Sequence, residues 1–141
     1  MKLTYFWLGI TLALGIVLGS LASHTLNAQE ALARGTVLKR TELAGGKGME
    51  AILVLRELPP GGESGKHTQS GTEIVYILDG SVIFEAQGNS PATLKAGEAF
   101  STTAGEVHNV KNASSSEPAK ALAFYIAKKG ARLDDLSVPA K

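Results

Sequence analysis

From about residue 36 onward the chain breaks into short apolar runs separated by Gly- and Pro-bearing turns. Strand side chains alternate between two faces, so such runs read as strands half or fully buried in a sheet. The pattern predicts strands over residues 36–43, 49–58, 72–78, 81–87, 90–94, 99–102, 107–111 and 121–127. The second run is apolar on both faces through Ala51-Ile52-Leu53-Val54-Leu55, the pattern of an interior strand covered on both sides. Ala44-Gly45-Gly46-Lys47-Gly48 and Lys95-Ala96-Gly97-Glu98 are turns, and Pro59-Pro60 ends the second run. Asp79-Gly80 between two apolar runs is the strongest short hairpin signal, predicting that 72–78 pairs with 81–87. Many short strands at regular spacing describe an all-β sandwich or barrel.

The N-terminus follows another rule. Residues 3–22 carry no charged side chain and follow Lys2, and the run approaches the length that spans a bilayer. Ser20-Leu21-Ala22 offers a small-x-small cleavage site, with a poorer one at Leu26-Asn27-Ala28. The segment 1–28 is therefore expected to be an N-terminal hydrophobic helix, serving as a signal peptide or as an uncleaved membrane anchor through residues 3–22. Both put the following domain outside the cytoplasm, periplasmic or secreted. Residues 29–35 read as a linker, 36–130 as a single barrel domain and 131–141 as a tail.

Composition narrows the chemistry. With 141 residues there is room for one core. The absence of cysteine rules out disulfides, thiolate metal sites and a cysteine nucleophile. Fourteen basic and thirteen acidic residues give a net charge of +1; removal of the leading segment takes Lys2 and balances the rest. No basic run or basic–aromatic interleaving is present, so no nucleic-acid partner is expected.

Two of the three histidines fall in the barrel region, at His67 and His108, while His24 lies in the leading segment. His67, Gln69 and Glu73 share strand parity with Val75 and Ile77, so one face carries an imidazole and two oxygen donors continued by an apolar wall. Taken alone, His67 beside Lys66 reads as an exposed loop residue and Glu73 as a solvated strand carboxylate. Their spacing changes that reading. Gly61, His67, Glu73 and Gly80 match the pattern G-x5-H-x-H-x(3,4)-E-x6-G, with Gln69 where a second histidine is usual. Gly97, Gly105, His108 and Asn112 match G-x5-P-x-G-x2-H-x3-N, with Thr103 in the proline position. In this order and separation the two motifs resemble those of the cupin family, and the resemblance extends over most of the chain after residue 35.

The resemblance implies a double-stranded β-helix, or jelly-roll, cupin barrel. It also implies a divalent metal held by His67, Gln69, Glu73 and His108. Two imidazoles and two oxygen donors suit Mn or Fe first and Zn or Ni second. A neutral amide is a weaker donor than imidazole, so Gln69 is either a weak ligand or a neighbour of the ligands. Thr103 is expected to leave the turn before His108 less rigid than proline would. Asn112-Ala113-Ser114 fits a glycosylation acceptor, but the family's asparagine at this position favours a structural turn role. A small-molecule ligand or substrate and a homodimer are expected. Two functions remain open: an exported metal-dependent enzyme acting on a small polar molecule, as an oxygenase or isomerase, and a module that captures such a molecule without turnover.

Overall fold

A computed structural model describes residues 33–131. The expected hydrophobic helix at 1–28, most of the linker and the tail beyond Ala131 lie outside the described residues. Among those residues all regular structure is β: β1 (Arg34–Glu42), β2 (Met49–Leu58), β3 (Thr72–Asp79), β4 (Ser81–Ala86), β5 (Ala92–Lys95), β6 (Ala99–Thr102), β7 (His108–Asn112) and β8 (Ala119–Lys128). They form a five-stranded antiparallel sheet in the order β1-β2-β8-β3-β6 and a three-stranded one in the order β5-β4-β7. The two inner faces share one core. Ile52, Val54, Leu58, Val75, Ile77, Ala121, Ala123 and Tyr125 come from the large sheet, and Val82, Leu94 and Val110 from the small one. This is the jelly-roll architecture.

The alternation read from the sequence sets the walls. Along β3, Glu73, Val75 and Ile77 are buried while Thr72, Ile74 and Tyr76 are exposed. Along β8 the inward set is Ala119, Ala121, Ala123, Tyr125 and Ala127, four alanines and one large aromatic. Small residues there leave room in the barrel that Leu or Ile would fill.

Two expectations about the sheets need correction. The turn at Asp79-Gly80 does not make a hairpin: β3 pairs with β8 and β6, and β4 pairs with β5 and β7. The ladder shifts register between Ile77 and Asp79, and Gly80 takes a φ of 74°. A Cβ at Gly80 would stand 3.0 Å from the Pro118 carbonyl and 3.1 Å from Ala119 Cα, so the chain turns tightly against the start of β8 and crosses to the other sheet. A two-residue sequence signal reports the turn but not which strands it joins. The second correction concerns β2. It is an interior strand between β1 and β8, but Leu53 and Leu55 on its outer face are only half-buried.

Asn112 has the structural role expected of it. Its amide nitrogen donates to the carbonyls of Leu58 (3.2 Å), Pro59 (3.0 Å) and Glu117 (2.8 Å), and its oxygen accepts from the Ser114 amide (2.9 Å). The side chain thus ties the end of β2 to the loop before β8. Asn112→Asp removes both N–H donors and turns a carboxylate toward three carbonyls. It is expected to lower unfolding free energy by on the order of 3 kcal/mol, read by urea denaturation.

Candidate metal centre

The loop after β2 brings the first histidine to the second. His67 and His108 form an isolated antiparallel bridge, each backbone N–H donating to the other's carbonyl at 3.0 Å. Directly bridged residues hold their side chains close, and the two rings lie 4.3 Å apart between centroids, tilted by 57°. Glu73 enters from β3, where it pairs with Thr102 on one side and Tyr125 on the other. Its Oε2 stands 3.8 Å from His108 Nε2.

Both imidazoles are held the same way. Nδ1 of His67 lies 2.8 Å from the Gly65 carbonyl, and Nδ1 of His108 lies 3.0 Å from the Glu106 carbonyl. A carbonyl only accepts, so each Nδ1 carries a proton, which in the neutral ring leaves the lone pair on Nε2. His108 is buried, and its Nε2 has no hydrogen-bond partner. Burial holds its imidazole below the ordinary histidine value, against the raising effect of the Glu106 carbonyl bond. His108 is therefore neutral, as a ligand must be.

Gln69 is buried on the same side of the barrel but does not line the cavity. Its amide nitrogen donates to Thr102 Oγ1, which in turn donates to Glu73 Oε2 at 3.4 Å. Its carbonyl oxygen is buried without a partner. Buried polar atoms are nearly always hydrogen-bonded, so the two orphans, His108 Nε2 and Gln69 Oε1, are each open to an electron-pair acceptor. Donors about 2.1 Å from one ion lie roughly 3–4 Å apart, which accommodates the His108–Glu73 spacing. Among the described residues no three His, Asp or Glu side chains are gathered tightly enough to make a metal cluster by themselves. The donor chemistry and the orphaned atoms suit a divalent ion; the fourth donor expected of such a centre is an amide oxygen.

In the turn before His108, Thr103 is tied to Glu106. The Thr103 N–H donates to Glu106 Oε2 at 3.0 Å and its hydroxyl reaches the same oxygen at 3.4 Å. The Gly105 amide donates to the main-chain carbonyl of Gln69 at 2.9 Å. Proline has no N–H to make the first bond, so threonine replaces ring rigidity with a side-chain clamp.

A cavity of about 300 Å³ opens on these residues, at the small end for ligand pockets. His67, Glu73, His108, Ser64, Arg56 and Tyr125 supply its polar wall, and Leu58, Val75, Ile77, Phe100, Val110 and Ala121 most of the rest. Phe100 stacks on Phe84 at 4.3 Å, and Phe84 stands 6.0 Å from the His108 ring.

A family model described as the cupin domain matches residues 54–125, just over half of the chain. The chain belongs to the cupin family. The beta-alanine degradation protein BauB of Pseudomonas aeruginosa PAO1 is 39% identical to this cupin over 70 residues, covering 48% of this chain and 74% of that protein. A cupin domain from Bordetella pertussis Tohama I is 25% identical with a TM-score of 0.54, over 67% of this chain and 93% of that one. An oxalate oxidase in complex with the substrate analogue glycolate shares the fold at a TM-score of 0.58 and 19% identity, over 73% of this chain and 55% of that one.

The cupin motifs specify none of Arg56, Tyr125 and Thr102, the last an unspecified position of the second motif, and all three were missed from the sequence. Arg56 shares β2 parity with Ile52, Val54 and Leu58, and Tyr125 is the one large residue among the inward alanines of β8. A charged residue on an inward face was the available signal. Arg56 Nη2 donates to the Tyr125 hydroxyl at 2.7 Å. Burial, and then the charge of Glu73, push the Tyr125 phenol far above its ordinary range. Tyr125 therefore stays protonated, bonded to Arg56 and opposite Glu73 in the ladder.

Neutral, buried His108 has a consequence for stability. The unfolded chain takes up a proton near the ordinary value of 6.5, which the folded protein refuses until a lower pH. This contribution to stability is complete above pH 6.5 and is lost as pH falls from there through the folded value. Thermal melts of chelator-treated protein are expected to show a lower Tm at about pH 5.5 than at about pH 7.5, with a shallower fall in His108→Gln.

Proposed function

We propose that this cupin binds one divalent metal ion through His67, Glu73 and His108, with Gln69 as the fourth donor, and transforms a small polar molecule in the adjoining cavity. The observation that carries the reading is the matched pair of imidazoles, each fixed as the Nδ1–H tautomer, with His108 Nε2 buried and unpartnered beside Glu73. The hard oxygen donors of Glu73 and Gln69 favour Mn or Fe over Zn or Ni. A bound divalent ion would supply Lewis-acid polarisation of a substrate oxygen, the common starting point of oxygenation and of isomerisation through an enolate. The chain's own groups do the rest. Glu73, held by Thr102, would take a proton from the substrate and return it once it leaves the ion. Phe100, Val75 and Ile77 exclude water from that exchange.

The Pseudomonas relative, named for beta-alanine degradation, supports a small polar molecule as the substrate class. We also propose export, carried by the apolar segment at residues 3–22, and a homodimer formed on the outer face of the large sheet, where Ile74, Tyr76, Leu78 and Phe124 are exposed. Capture without turnover is the second reading, favoured by a wall that carries no nucleophile with an adjacent base.

Oxygen uptake and product formation across a panel of small polar acids, alcohols and carbonyl compounds test the proposal with Mn- or Fe-loaded protein. Turnover that chelator abolishes, that added metal restores and that Glu73→Gln lowers at least about 100-fold is expected. Metal-dependent binding with no turnover of any bound compound would favour capture.

A further inference from the structure

We infer that the molecule this cavity takes is polar at one end only, with a single polar head at the histidines and a short hydrocarbon body filling the rest. The inference deepens the proposed function, since it rests on this cavity being the working site, and it names the class of molecule that site accepts.

The strand ladders sort the cavity wall into layers. Glu73 on β3 lies level with Tyr125 on β8 and Thr102 on β6. Val75 comes next, level with Ala123 and Phe100, and then Ile77, level with Ala121. On the small sheet, His108 is followed by Val110 on the same face of β7. At roughly 3.3 Å per residue, Ile77 stands about 13 Å along the strand from Glu73. The wall therefore changes character along its length. His67, Glu73 and His108 make one end, and Val75, Phe100, Val110, Ile77 and Ala121 continue it as hydrocarbon.

The other polar groups of the wall are matched within the chain. Ser64 Oγ accepts from the Val110 amide at 3.0 Å and lies 3.2 Å from both the Gly65 carbonyl and Asn109 Oδ1, acceptors for its proton. Arg56 is engaged within the chain, donating to the Tyr125 hydroxyl at 2.7 Å. Tyr125 itself lies opposite Glu73 in the ladder, at the histidine end. Among the described residues, the unspent acceptor capacity of the wall gathers at that end. It comprises the unpartnered Nε2 of His108, the Nε2 of His67 whose ring is held through Nδ1, and the Glu73 carboxylate.

A polar head can donate or coordinate there. A second polar group among Val75, Ile77, Phe100 and Ala121 would lose its water and find no partner, which costs more than a hydrogen bond gains. A methylene in the same place is driven in by its own dehydration. Ala121 leaves the space that this body occupies, within a cavity of about 300 Å³.

NMR titration of the full-length, chelator-treated chain with straight-chain primary alcohols from propanol to hexanol tests this with no metal present. Binding is read from the methyl signals of Val75, Ile77 and Ala121. Affinity is expected to rise roughly threefold with each added methylene. Hexanediol with hydroxyls at both ends carries a polar group into the apolar end, and is expected to bind at least tenfold more weakly than hexanol. Ala121→Leu is expected to cost hexanol at least tenfold more than it costs propanol. A flat series, a diol that equals hexanol, or no response of the three methyl signals overturns the inference in the wild type alone, whether or not the variant folds. Equal losses of propanol and hexanol in Ala121→Leu with unchanged near-UV circular dichroism overturn it too. A parallel titration with Mn(II) alone separates the two readings. Chain-length preference without metal binding supports the one-ended ligand and defeats the metal centre, whereas metal binding with a flat series does the reverse.

Discussion

Replacing His108 with Ala is expected to strip the protein of metal while leaving the barrel folded. His108 is the only candidate ligand from the second motif, and the three donors of the first cannot close a site without it. The change should weaken binding by on the order of 100-fold or more, beyond what the loss of a neighbouring hydrogen-bond partner costs. The backbone bridge to His67 does not depend on the side chain and stays, so far-UV circular dichroism should be nearly unchanged. Removing a fully buried ring leaves a cavity, and a stability loss of about 2 kcal/mol is expected. Equal metal content in variant and wild type at matched purity would remove His108 from the site.

The second large effect is expected from Gln69→His, which supplies the histidine usual at that place in the motif. Gln69 is buried, and its amide nitrogen is already engaged by Thr102, so its free oxygen is the atom the new imidazole would replace as donor. Imidazole binds late first-row metals more strongly than an amide oxygen, so affinity should rise about tenfold or more for Zn and Ni. A histidine ligand must be neutral, so binding should also become more sensitive to acid, with the loss steepening below roughly pH 6.5. Metal titrations at two pH values read both effects. Unchanged or weaker binding would place Gln69 behind the ligands, acting on Glu73 through Thr102.

The strand pattern was largely legible in the sequence because alternation and turn residues act locally. Residues 49–58 and 99–102 were bounded as β2 and β6 are, and the inward set Glu73, Val75, Ile77 was read by parity alone. Sheet membership was not legible. Asp79-Gly80 dictates a reversal, but the packing of Gly80 against Pro118 and Ala119 decides that β3 and β4 part company, and that contact joins residues far apart in the chain. The site divides the same way. The histidines and Glu73 stood out through motif spacing, whereas Arg56 and Tyr125 meet across β2 and β8, a pairing no local pattern encodes. Thr103 shows a limit of another kind: its departure from proline suggested a looser turn, and only the position of Glu106 reveals the clamp.

Whether His108 and its neighbours hold an ion is tested most directly by elemental analysis of the purified full-length chain. Wild-type protein loaded with Mn or Fe and desalted should retain close to one divalent ion per chain, while His108→Ala prepared alongside it should retain almost none. Wild-type protein that keeps no more metal than the variant would contradict the metal centre.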